Sequence, residues 1–395
     1  MTAEPNGHEN APALITLAYS RSARIVAIPG GEKYRQAHTT LQAAGFQHRA
    51  NGTYVLPLAE TADTAASMAD LIRLAQAQGT TVTTSSRPYI GDIGQDIATH
   101  LPGTWSASVD VYSHPVWQTD LEPWLWDTGE LSHAVRTSRI PYAALLKDGQ
   151  GTELLLAERP GHASGYLVGA FVPEAFEGNA KDPNAPRSIV LPGPPIVAAR
   201  AIVDQFLPAY HQADYDRRIT EMAAALDQTS REHAEWQSMA ESGRYSDATP
   251  MDPDALARTT SLFRDRAWSK FRDFLLHGPV LLDRCEPTAT EWPRDAAALD
   301  RLRIALVKGD AVSTDWNTLL ATLRETPASL PAQSYDEAKR ARNDRAWPAI
   351  ETWLTDGEAL IRQAQAAAPR PPAATLSLTR PRPALPPGPG ASRGR

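Results

Sequence analysis

The sequence predicts an α+β chain: a small β-β-α-β-β-α-β module, a β-rich middle domain, an all-helical C-terminal region and a disordered Pro/Arg-rich tail. Three observations predict it. Asn51-Gly52 lies between the strand-like runs Phe46-Gln47-His48-Arg49 and Thr53-Tyr54-Val55-Leu56-Pro57. Asn-Gly in that setting is the strongest short hairpin signal, because both central residues of a type I′ turn need positive φ. Short β-branched and aromatic runs punctuated by Gly and Pro recur up to residue 195, and helical spacing of apolar residues takes over from 196.

The expected elements run in this order. Residues 1–12 are polar and read as disordered. Ala13 to Tyr19 alternates as a strand, Arg24 to Ile28 is a second, and Pro29-Gly30-Gly31 breaks it. Glu32 to Ala44 reads as a helix closed by Gly45, the usual residue past a helix end. After the hairpin, Thr61 to Gln78 is a helix with Met68, Leu71, Ile72 and Leu74 on its apolar side, and Thr80 to Ser85 is a β-branched strand. Residues 90–101 form a short amphipathic helix through Ile90, Ile93, Ile97 and Leu101.

The middle segment supplies the strand candidates Trp105 to Tyr112, Leu131 to Arg136, Tyr142 to Leu146, Glu153 to Ala157 and Tyr166 to Val172, with Asp148-Gly149 as a turn. A loop from Glu177 to Pro195 contains one strand, Ser188 to Leu191. Residues 196–242 are helical with a kink or break at Pro208, since proline removes a helix hydrogen bond and clashes with the preceding turn. Further helices fit 253–277, 295–307, 314–325 and 334–367. The expected divisions are therefore 1–12, 13–89, 90–195, 196–368 and 369–395. The tail holds eight prolines, five arginines and no acid, too little apolar surface to fold.

Charge and composition narrow the function classes. Net charge is −7 over 395 residues, which disfavours a globally basic nucleic-acid binder. The tail carries +5, so residues 1–368 carry −12. A single cysteine, Cys285, allows no disulfide within the chain and fits a reducing compartment. Neither a signal peptide nor a membrane span is evident, so the chain reads as cytoplasmic, with no membrane partner. Six of the 39 basic residues are lysine. That arginine bias points to a GC-rich, actinobacterium-like source.

The run Leu41-Gln42-Ala43-Ala44-Gly45-Phe46, followed by Asn51-Gly52-Thr53-Tyr54-Val55-Leu56-Pro57, resembles the HARP-type module found beside annealing-helicase motors. It is similar also to N-terminal modules of proteins from actinobacterial plasmids and integrated elements. The resemblance covers about 75 residues and implies contact with single-stranded or branched DNA. The family favours tryptophan on both hairpin strands; here Gln47 and His48 follow Phe46, and Thr53-Tyr54 opens the return strand. No helicase motor follows.

Local charge points the same way. Residues 13–90 hold Arg21, Arg24, Lys33, Arg35, Arg49, Arg73 and Arg87 against Glu32, Glu60, Asp63 and Asp70, a balance of +3. The expected nucleic-acid contacts are Arg21, Arg24, Lys33, Arg35, His48, Arg49 and Tyr54, the cations meeting phosphates and the rings meeting bases. An ordinary solvated arginine-rich surface explains the same charges.

Other chemistries have weaker signals. No phosphate-binding loop, dinucleotide fingerprint or serine-nucleophile elbow occurs, and no cofactor is implied. Asp92, Asp96 and His100 at i, i+4, i+8 share a helix face, either as metal donors or as the polar flank of an amphipathic helix. His162 in Arg159-Pro160-Gly161-His162-Ala163-Ser164-Gly165 suits acid–base work or a hairpin connection. Asp110, Glu153 and Glu158 suggest a metal-dependent nuclease, without the customary lysine. Trp117, Trp124 and Trp126 read as core packing or a binding surface. The expected function is a non-catalytic nucleic-acid-associated adaptor of a bacterial mobile element, also holding a protein partner. The alternatives are a protein–protein scaffold without nucleic acid and a hydrolase centred near His162.

Overall fold

The computed structural model describes residues 12–57, 64–176, 182–289, 293–325 and 332–368. The N-terminal segment before Pro12 and the tail from 369 lie outside them, as do the readings made of those segments. The chain is mixed α+β, with two sheets followed by a helical region.

The first sheet is built from β1 (Leu14–Ser20), β2 (Arg24–Gly30), β3 (Gln47–His48), β4 (Tyr54–Val55) and β5 (Thr81–Pro88) in the order β3-β4-β2-β1-β5. β5 runs parallel to β1, and the other pairs are antiparallel. Helix α1 (Tyr34–Ala43) follows β2, and α2 (Thr64–Ala77) precedes β5. Strand alternation sends Ile15, Leu17, Ala27 and Tyr54 to one face, where Leu41 of α1 and Leu71 of α2 cover them. Ala18, Val26, Ile28 and Val55 face the other way, onto Tyr89, Ile90 and Ile93. Both faces of this small sheet are buried.

The loop after β3 differs from the two-residue type I′ turn expected of Asn-Gly. Arg49 N–H donates to Thr53 O at 2.8 Å and Gly52 N–H donates to Arg49 O at 3.0 Å. Gly52, at +82°, is the loop's one residue with positive φ. This is a three-residue loop whose last residue is left-handed. Asn51 contributes its side chain instead: Oδ1 accepts from the Thr53 hydroxyl at 2.7 Å and from its amide at 3.2 Å.

Helix α3 (Ile90–His100) leads into the second sheet, β6 (Ser106–Val111), β7 (Leu125–Trp126), β8 (Tyr142–Lys147), β9 (Glu153–Glu158), β10 (Tyr166–Phe171) and β11 (Ile189–Leu191). The order is β11-β10-β9-β8-β6, with β7 pairing β10. Short helices α4 (Pro115–Thr119) and α5 (Glu130–Thr137) sit in the connections. Residues 131–136 are thus helical, where a strand was expected. Leu131, Ala134 and Val135 are spaced for one helix face and are buried, and Asp127 accepts from the amides of Gly129 at 2.8 Å and Ser132 at 2.7 Å, fixing the helix start.

Helix α6 (Pro195–Ala201) passes through a π-helical turn, Ile202–Phe206, into α7 (Leu207–Ser242). The break expected at Pro208 is this turn, whose wider winding accommodates a proline without ending the helix. Three long helices complete the chain: α8 (Pro253–Ala289), α9 (Pro293–Glu325) and α10 (Ala332–Ala367). α8 runs past the expected end at 277, and α9 is one helix where 295–307 and 314–325 were expected as two. Gly309 does not break α9 because it lies under Phe271, whose ring would be 2.5 Å from an added Cβ.

One core cluster runs across roughly the first half of the chain, from Ala18 to Ala213. It joins Val26 and Ile28 to Ile97, Leu146, Leu156 and Val168, and on to Ile202, Phe206 and Tyr210. A second cluster fills the bundle around Phe271, Phe274 and Trp353. Asp265 ties α8 to α10 by accepting from Lys339, Arg342 and Asn343 at 2.7, 2.9 and 2.7 Å.

Candidate nucleic-acid interface

The seven residues predicted to meet nucleic acid do not form one set. β2 runs from Arg24 to Gly30, and β4 pairs with it antiparallel, Val26 opposite Val55 and Ala27 opposite Tyr54. The β3–β4 loop therefore projects from the Gly30 end of β2, while the β1–β2 turn with Arg21 and Arg24 projects from the other. Seven residues of strand separate the two ends by roughly 20 Å.

Arg21 is committed where it stands. Its guanidinium pairs with Asp96 at 2.5 Å, and its amide donates to Asp92 at 2.6 Å. Asp92 also accepts from the Ser20 hydroxyl at 3.1 Å. The two carboxylates read as metal donors instead pin the β1–β2 turn to α3, and the His100 ring contacts the Asp96 carbonyl at 2.7 Å. Among the described residues no group of three or more His, Cys, Asp or Glu side chains is placed to hold a metal ion. Arg24, at φ 56°, is exposed at the same turn.

Tyr54 is corrected as well. It is 1% exposed, its ring belongs to the core beneath α1, and its hydroxyl shares a 2.8 Å hydrogen bond with His38 Nδ1. It offers no face to a base.

Lys33, Arg35, His48 and Arg49 do come together at the Gly30 end. Lys33 and Arg35 open α1, directly after β2, and His48 and Arg49 lead into the β3–β4 loop. All four are exposed, and among the described residues none forms an ion pair. A strip of rings connects them. Trp117 lies 4.9 Å from Tyr34, Tyr34 lies 5.6 Å from His38, and His38 lies 6.1 Å from His48, centroid to centroid. His114 packs 5.9 Å from Tyr34. An open groove of about 610 Å3 lies at the Trp117 end of the strip, lined by Glu32, Lys33, Tyr34, Arg35, Gln36, His114 and Trp117.

The middle region contributes to this end through β6. Gly31 N–H donates to Ser113 O at 3.0 Å, and Gly52 lies against Val111, which seats His114 and Trp117 beside α1. His114 Nδ1 accepts from Val116 N–H at 3.2 Å, so the neutral ring carries its proton on Nε2. His38 is held below the ordinary imidazole range by burial, with the nearby His48 acting in the same direction. Trp117 is 41% exposed and meets Tyr34 in a T-shaped contact, with part of its surface in water.

Tyr34, His38 and His114 were not singled out as site residues from sequence, and Trp117 entered only within the tryptophan group read as core packing or a binding surface. Tyr34 and His38 are spaced i, i+4, a helix-face signal that was available. The arrival of His114 and Trp117 depends on how two sheets stack, which no local pattern reports. Of the tryptophan group, Trp126 is fully buried while Trp117 and Trp124 are exposed.

The His162 loop is held by Arg87, which donates to the carbonyls of Arg159 at 3.2 Å, Gly165 at 2.7 Å and His162. Arg159 pairs with Glu130 at 2.6 Å. The His162 side chain is exposed, and among the described residues it meets neither a carboxylate nor a hydroxyl. Asp110, Glu153 and Glu158 do not form one cluster: Asp110 and Glu153 feel each other's charge beside Lys147, and Glu158 stands apart. Glu153 and Glu158 close opposite ends of β9, the first pairing with Lys147 at 2.6 Å and the second with Arg87 at 3.7 Å.

Set beside known proteins, the chain matches no family model, no curated protein and no solved structure. No described helix is long and apolar enough to cross a membrane.

Proposed function

We propose that this chain is a non-catalytic nucleic-acid-associated adaptor that grips the phosphate backbone at the Arg49 end of its first sheet. One observation carries the reading: Lys33, Arg35 and Arg49, none ion-paired among the described residues, flank a strip of partly exposed rings at a single end of the fold. Cations displace condensed counterions from phosphates, and ring faces accept bases whatever their sequence. A HARP-like character for the module and a place in a bacterial mobile element belong to the same proposal and rest on the pattern of residues 41–57.

The test is fluorescence anisotropy of the full chain with labelled single-stranded, forked and duplex oligonucleotides across a salt series. Three phosphate contacts on a single strand give a log–log slope of about −2. Absence of binding at about 50 mM salt, where phosphate contacts are strongest, overturns the proposal.

A further inference from the structure

Three imidazoles, His38, His48 and His114, stand at the Arg49 end of the first sheet. Imidazole is the side chain whose charge changes between about pH 5 and pH 8. Two of the three are tied to the neutral form. His114 caps α4: its Nδ1 lone pair accepts the Val116 N–H at 3.2 Å, and a proton on that nitrogen would set two N–H groups against each other. Its ring otherwise meets Tyr34 of α1 at 5.9 Å and Trp117 of α4 at 6.4 Å, and Glu32, Lys33 and Arg35 line the same groove. His38 is half-buried and shares its hydrogen bond with the Tyr54 hydroxyl, and burial disfavours its charged form.

His48 is placed differently. It is exposed at the end of β3, directly before Arg49. Its ring neighbours are Tyr54 of β4 at 5.0 Å and His38 of α1 at 6.1 Å. Among the described residues its ring makes neither a hydrogen bond nor an ion pair, so both nitrogens are open to a proton and to a ligand. A phosphate held by Arg49 brings an anion to this ring, and an opposite charge within about 4–6 Å favours the protonated form. Proton uptake and phosphate binding are then linked, each promoting the other.

We infer that His48 is a proton-gated fourth phosphate contact, so that acidification tightens the grip of this interface on nucleic acid. The inference rests on the adaptor reading above. At alkaline pH the neutral ring leaves Lys33, Arg35 and Arg49 to hold the strand. At acid pH His48 joins them and displaces a further counterion. The cap on His114 and the burial of His38 limit the gain to one proton and one phosphate.

Fluorescence anisotropy of the full chain with labelled oligothymidylate, whose bases do not titrate in this window, tests the inference through salt series at about pH 8 and about pH 5.5. Each phosphate contact on a single strand contributes about −0.7 to the log–log slope, so the wild-type slope steepens from about −2 to about −3 on acidification. His48→Gln keeps the shallow slope at both pH values, and His48→Arg keeps the steep one at both. His114→Asn, which still supplies a capping oxygen to α4, keeps the wild-type response. Binding with one slope at both pH values, or a His48→Gln protein whose slope still steepens, overturns this inference and leaves the adaptor reading standing. Absence of binding at both pH values overturns the two together.

Discussion

Gly52 carries two constraints. Its φ is +82°, and an added Cβ would stand 3.3 Å from Val111 Cβ. Gly52→Ala therefore strains the loop and presses it off the second sheet, with an expected loss of about 1–2 kcal/mol in urea unfolding; a loss near zero would mean that the loop is not seated on β6. Arg21 illustrates the opposite case. It is exposed and cationic, yet Asp92 and Asp96 already occupy it. Arg21→Ala should leave oligonucleotide affinity unchanged in anisotropy, whereas Arg49→Ala should weaken it. At this scale sequence was a mixed guide. Asn51-Gly52 did mark a hairpin, but the loop took three residues because Asn51 spends its side chain on Thr53. Tyr54 looked like a stacking platform because alternation places Tyr54 and Val55 on opposite faces without saying that both faces are covered.

Elements were most legible where one face alone is buried, as in α3, whose isoleucines recur at helical spacing. They were least legible where glycine or proline is absorbed by packing. Gly309 falls in the gap between the helices expected over 295–307 and 314–325, and is a notch for Phe271 within the single α9. In a helix interior Gly→Ala ordinarily stabilises by roughly 0.5–1 kcal/mol. Gly309→Ala should reverse that sign and lower the melting temperature, because the new methyl enters the Phe271 ring; a raised melting temperature would show that α8 and α9 separate easily there. Short α5 was misread because a run of eight residues fits either period until its buried positions are known.

At the scale of the whole molecule, the junction of sheet and bundle carries a pH signature. His277 of α8 is 3% exposed and stacks on Phe176. Burial, aided by the charge of Arg218, lowers its imidazole to about 4 from 6.5. Between these values the unfolded chain binds a proton that the folded chain refuses, so stability falls as pH drops from 6.5 to 4. The full effect is about 3 kcal/mol. His277→Gln should flatten that part of a stability–pH profile measured by urea unfolding, and an unchanged slope would assign it elsewhere. The mixed α+β class and the helical C-terminal region were readable from pattern. The single core running from Val26 through Leu156 to Phe206 was not, since stacking of sheets is decided by surfaces far apart in sequence. The same stacking brings Trp117 to Tyr34 and so completes the candidate interface.

The most direct test compares two charge reversals at opposite ends of the first sheet by anisotropy with a single-stranded oligonucleotide at low salt. Lys33→Glu/Arg35→Glu/Arg49→Glu should abolish binding and its salt dependence, while Arg21→Glu/Arg24→Glu should retain both. Equal loss from the two variants, or loss from the second alone, would contradict an interface at the Arg49 end.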